Sequence, residues 1–128
     1  MNYPTTHQLL FLHGRLIDET GGSHGLRDLA LLESALNRPR ATAEGKDLYP
    51  DLFSKAAALM QSLVLDHPFL DGNERTGIAS ASLFLLQNHR QLVTSSRELE
   101  RFTLEVAHRE IGMEEIAAWF RQNSKPLS

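Results

Sequence analysis

No cysteine occurs in the 128 residues. Disulfides and thiolate metal sites are therefore excluded, and a reducing compartment fits. No apolar run approaches the ~18 residues of a membrane-spanning helix. The N-terminus, Met1-Asn2-Tyr3-Pro4, has neither the basic start nor the apolar core of a signal peptide. A cytoplasmic protein without a membrane partner is expected. Basic residues are not in excess: the net charge of −3 argues against a nucleic-acid footprint. No repeat, low-complexity tract or long linker divides the chain. One domain over residues 1–128, with its core at about 5–123, is expected. The apolar fraction of 41% is ordinary for a globular domain.

What the chain does have is helical periodicity. Thr5 or Thr6 caps a first helix running to about Glu19, with Leu9, Leu12, Leu16 and Ile17 as its apolar stripe and His13 beside it. Gly21-Gly22 stops it. Asp28 caps a second helix to about Arg38, facing the core with Leu29, Leu32, Ala35 and Leu36, and Pro39 ends it. Arg27 and Asp28 read as an ion pair plus a cap. Residues 40–50 read as an irregular segment, because Gly45 and Pro50 oppose a continuous helix. A third helix starts at Asp51 or Ser54, ends near Asp66, and carries Phe53, Ala56, Ala57, Met60, Leu63 and Val64. A fourth runs from Asn73 to about Asn88 with Ile78, Ala81, Ser82, Leu85 and Leu86. Its small residues Gly77, Ala79, Ser80 and Ala81 permit close approach to a neighbour. Ser95 and Glu98 form a capping box for a fifth helix to about Arg109. A sixth, Met113 to Gln122, buries Ile116, Trp119 and Phe120. The phrase Leu92-Val93-Thr94 is too short for a sheet, and the tail Asn123 to Ser128 is expected to be loose. The fold class predicted is all-α, a single-domain bundle of about six helices.

Between the third and fourth helices lies His67-Pro68-Phe69-Leu70-Asp71-Gly72-Asn73-Glu74-Arg75-Thr76-Gly77. Pro68 drives His67 out of helical conformation. Asp71-Gly72 marks a turn, and Asn73 is a suitable N-cap. The loop therefore ends on the free N–H groups of a new helix, around Asn73, Glu74 and Arg75, which attract phosphate. A helix terminus alone supplies at most about 2 kcal/mol. Arg75 adds a fixed cation with forked donors. Asp71 is a candidate ligand for Mg²⁺, which binds phosphates through one or two carboxylates. His67 is a candidate general base. Base, metal ligand, phosphate cradle and cation on one loop suit phosphoryl or nucleotidyl transfer.

The stretch resembles the Fic/Doc motif, H-x-F-x-D/E-G/A-N-x-R, at every fixed position. The resemblance implies that His67 takes a proton from a target hydroxyl and that Asp71 holds Mg²⁺. It implies that Gly72, Asn73 and the helix-start amide of Glu74 cradle phosphates, that Arg75 contacts them, and that Phe69 anchors the loop. Gly21-Gly22-Ser23-His24-Gly25-Leu26-Arg27-Asp28 and Leu32-Glu33-Ser34-Ala35-Leu36 also look like the Doc-type subfamily. Fic enzymes that transfer AMP usually carry a second Arg where this chain has Ile78. Doc-type kinases usually carry Lys where it has Glu74, and often Ala where it has Gly72. In the family the region matching Arg40 to Leu48 acts as a flap that docks the target backbone.

By this resemblance the chain is similar to death-on-curing toxins, which are encoded beside an antitoxin. Doc-type relatives phosphorylate elongation factor Tu on a threonine, and larger Fic relatives move AMP to Ser, Thr or Tyr. The expected activity is ATP- and Mg²⁺-dependent phosphoryl transfer to a hydroxyl of a target protein. The alternatives are AMP transfer and an interaction module in which Glu74 has weakened catalysis. The family's inhibitory pattern, S/T-x-x-x-E-G/N, is not met at Thr94–Glu98 or Ser96–Glu100, so an antitoxin partner is expected to supply control. Six histidines raise a transition-metal reading. No H-E-x-x-H occurs, and two ligands, His67 and Asp71, make a poor structural site.

Overall fold

The computed structural model describes residues 1–127. Six α-helices carry the fold: α1 (Thr6–Thr20), α2 (Leu29–Asn37), α3 (Leu52–Asp66), α4 (Asn73–Gln87), α5 (Ser96–Ala107) and α6 (Met113–Gln122). The all-α expectation holds. Local chemistry explains most of the helix starts. Thr5 accepts from the Gln8 N–H, Asp28 from Leu31, Asp51 from Ser54 and Ser95 from Glu98, each satisfying a donor that the helix leaves open. Ser95 and Glu98 do not close a reciprocal box. The Glu98 carboxylate turns instead to Arg101 and to the Trp119 indole N–H.

Helices α3 and α4 lie at the centre. Ala56, Ala57, Ala58, Leu59, Met60, Leu63 and Val64 of α3 are all buried. The approach of α4 is close because Gly77 has no side chain: a Cβ there would stand 2.5 Å from Val64 Cγ2. Around this pair, Leu9, Leu32, Phe84, Phe102, Ile116 and Phe120 complete one continuous core. Phe102 stacks on Trp119 at 3.8 Å and meets Phe120 edge-on.

Several expectations are corrected. The inner stripe of α1 is Leu9, His13 and Ile17, spaced by four; Leu12 and Leu16 are only partly covered. Leu29 and Leu86 are exposed, whereas Phe84 is fully buried. Lys55 is also buried, with Nζ donating to the Pro39 carbonyl at 2.9 Å and lying 3.5 Å from Asp47. The segment 40–50 forms no continuous helix, as expected, but it holds a short hairpin at 42–47. Arg38–Arg40 form a 3-10 turn, and β1 (Thr42–Ala43) pairs antiparallel with β2 (Lys46–Asp47). Glu44 and Gly45 both have positive φ at the hairpin turn. The tail is docked: β3 (Arg90–Leu92) pairs antiparallel with β4 (Ser124–Pro126), and Arg90 donates to Ser124 Oγ and O. Ser128 lies outside the described residues.

Candidate active site

The α3–α4 loop is built against the connection between α1 and α2. Helix α3 ends at Asp66, and His67 takes a left-handed conformation with φ 53° and ψ 60°. Such a conformation costs a residue with a Cβ on the order of 1–3 kcal/mol. Bonds from elsewhere hold it. Arg27 donates through Nη2 to the Asp66 carbonyl at 2.7 Å and through Nε to the His67 carbonyl at 2.6 Å. The backbone N–H groups of Arg27 and Asp28 both donate to the Pro68 carbonyl. The Leu70 N–H donates to Gly25, and Leu26 forms a β-bridge with Phe69. The side chain of Arg27 is therefore not paired with Asp28, whose carboxylate caps α2.

Phe69 is buried as expected, and it stacks on the His13 ring at 3.9 Å. His13 is buried too, and its Nε2 donates to the Asp71 carbonyl at 2.8 Å. The helix cap is not Asn73. Gly72, with φ 74°, occupies the cap position, and Asn73 is the first residue of α4. The Asn73 side chain fastens the loop from inside. Its Oδ1 accepts from the Phe69 N–H at 3.0 Å, and its Nδ2 donates to the Phe69 carbonyl at 3.0 Å. This fixes the amide, so that Nδ2 also faces His67 Nδ1 at 3.4 Å.

The Asp71 carboxylate is set by the Gly21-Gly22-Ser23 turn. Oδ2 accepts from the Ser23 N–H at 3.1 Å, and Oδ1 from the Gly72 N–H at 2.8 Å. These two N–H groups, Ser23 first, hold its pKa below the ordinary carboxylate value, with Arg75 assisting. Gly22 makes room for it: a Cβ at Gly22 would stand 2.6 Å from Asp71 Oδ2. The Arg75 guanidinium reaches the end of α1, where Nη1 donates to Thr20 Oγ1 and to the Gly21 carbonyl, the latter at 3.0 Å. A cation suits the negative end of that helix. Its Nη2 is 3.9 Å from Asp71 Oδ1, so Asp71 and Arg75 stand as neighbours across the loop.

His67, Leu70, Asp71, Gly72, Asn73, Glu74 and Arg75 together line a cavity of about 250 Å³. All the predicted site residues thus meet at one place. None of residues 40–48 contributes to its wall. Glu74 is exposed and enters no ion pair among the described residues. It stands at the border between this cavity and an apolar groove lined by Ile78, Leu99 and Leu104. The N–H groups of Asn73, Glu74 and Arg75 precede the first intrahelical donor, the Thr76 N–H, which bonds to the Gly72 carbonyl, and they have no acceptor within the helix. Among the described residues no three His, Cys, Asp or Glu side chains gather as a metal cage.

Sequence reasoning missed His13, Thr20, Ser23 and Arg27 as parts of the site. His13 left a signal, since it falls four residues from both Leu9 and Ile17 on the inward stripe, and Ser23 and Arg27 lie in the stretch that resembles the Doc-type subfamily.

A family model described as the Fic/DOC family matches residues 3–85, which include the whole loop. The chain is 45% identical over 100 residues to Toxin Doc of Mycolicibacterium smegmatis, covering 77% of each chain. It is 32% identical over 122 residues to Protein kinase doc of Escherichia phage P1, covering 95% of each.

Proposed function

The chain belongs to the Fic/DOC family, and from that membership we propose that it is a Doc-type toxin of a toxin–antitoxin pair. It acts as a protein-modifying transferase that moves the γ-phosphoryl group of ATP to a Ser, Thr or Tyr hydroxyl of a target protein. One observation carries this reading: His67, Asp71, Arg75 and the open N–H groups of α4 share the wall of one cavity. Small-molecule sites usually run from about 300 Å³ upward, so a cavity of this size suits a phosphate chain, with the nucleoside outside it.

Asp71 fits a magnesium ligand. It is a hard oxygen donor kept ionised by two N–H groups, and it stands beside an anion-binding helix start. Bound there, Mg²⁺ would neutralise phosphate charge. The chain's own residues do the rest. The target hydroxyl oxygen bonds to the γ-phosphorus, the bond to the β-phosphate oxygen breaks, and ADP leaves. The hydroxyl proton goes to the His67 imidazole. Arg75 and the N–H groups of Asn73 and Glu74 face the charge that develops. Phosphoryl rather than AMP transfer is favoured because Ile78, buried in an apolar wall, offers no second cation. An antitoxin partner that sets an acidic side chain near Arg75 would supply control.

The test compares ATP labelled at the γ- and at the α-phosphate, with Mg²⁺ and a bacterial protein extract. Wild type should pass γ-label to protein, and His67→Ala should pass none while still binding ATP. Transfer of α-label instead would establish AMP transfer. Absence of both labels from protein would leave only the non-catalytic interaction module.

A further inference from the structure

We infer that Arg27 is a positioning residue for the reaction, holding His67 in the backbone conformation that presents its ring to the cavity. This rests on the reading of His67 as the base. The carbonyls that close α3 have no partner within the helix. Arg27 bonds to three successive carbonyls, from the end of α3 into the loop: Asp66 O through Nη2 at 2.7 Å, His67 O through Nε at 2.6 Å, and Pro68 O, shared with the Asp28 N–H, through its own N–H at 2.8 Å. The two side-chain bonds are charge-assisted and come from one planar fork, so they fix the direction of two successive peptide groups. His67 sits between those groups at φ 53°, a left-handed region that is costly for a residue with a Cβ.

The rest of the α1–α2 connection works on the other site residues. Ser23 directs Asp71, and Thr20 with Gly21 directs Arg75. Arg27 is the member directed at His67. It is exposed, so its replacement removes these bonds without opening the core.

The experiment uses the full chain as Arg27→Lys and Arg27→Ala beside wild type and His67→Ala. Transfer of label from ATP to extract protein is measured across ATP concentrations. A lysine ammonium is a point donor that cannot span both carbonyls. Arg27→Lys should lose roughly tenfold or more in rate at saturating ATP, because small misplacements of a catalytic group are costly. The KM for ATP should stay within about twofold. Added ethylguanidinium should restore part of the rate of Arg27→Ala and none of the rate of His67→Ala. An Arg27→Lys rate equal to wild type, with His67→Ala inactive, would overturn the inference. So would a loss in Arg27→Lys matched by an equal loss of ATP binding. Full activity in His67→Ala would instead remove the reading of the site, and this inference with it.

Discussion

Replacing Asn73 with Ala separates two roles that its place in the loop suggests. If the side chain served only to touch phosphate, its loss would weaken ATP binding and leave the fold alone. The structure assigns it to the loop itself, with 3.0 Å bonds to both the N–H and the carbonyl of Phe69. Both residues are buried, at 7% and 1% exposure, so water does not readily replace the amide. Leaving one buried polar group unsatisfied costs about 1–3 kcal/mol. Two such groups, with some relaxation of the loop, give a loss of about 3 kcal/mol. Unfolding entropy runs at roughly 2.1 cal/mol/K per residue, so a chain of 128 residues has about 0.27 kcal/mol/K. The melting temperature of Asn73→Ala should therefore fall by about 11 °C. Calorimetry and urea unfolding on the variant, both without nucleotide, measure the effect directly. A melting temperature within about 2 °C of wild type, with ATP binding lost, would refute the loop-fastening role.

Gly22→Ala places a methyl group 2.6 Å from Asp71 Oδ2 at φ 115°, where an L side chain is also strained. It should displace the carboxylate and weaken Mg²⁺-dependent ATP binding, read by titration calorimetry with and without Mg²⁺; unchanged binding would mean the carboxylate is free to shift. Glu74→Lys should tighten ATP binding and raise the transfer rate by removing negative charge beside the phosphate site. Equal rates for both proteins would show that the exposed carboxylate has no hold on the ligand. The Glu98 carboxyl is held down to about 2 by hydrogen bonds from Arg101 and Trp119. Its folded value lies below its unfolded one, so its contribution to stability is present above pH 4.5 and fades as pH falls toward 2. Urea midpoints of wild type and Glu98→Gln should differ at pH 6 and converge as the pH drops through that window. A constant gap would assign the difference to packing instead.

The amino-acid sequence by itself determined where most helices begin and what the α3–α4 loop contains. Thr5, Asp28, Asp51 and Ser95 cap donors only three residues away, so the interaction is written within one short window. Pro68 and Gly72 likewise dictate their own backbone, which is why the loop and its candidate base, metal ligand and cation could be read directly. The cap of α4 was misread because Asn73 has two uses, and only the position of Phe69 chooses between them. What the tertiary structure alone decided is how these groups are aimed. Arg27 lies 40 residues from His67, and His13 lies 58 from Asp71. Neither spacing has a periodicity to betray it. Those partners meet only because α1 packs on α4 and the connection after it bonds to the α3–α4 loop. The same holds for the tail: Ser124 is a weak strand former that finds a place only because Arg90 and the edge of Arg90–Leu92 stand unpaired beside it. Local chemistry supplies the reactive groups, and packing of distant segments sets their geometry.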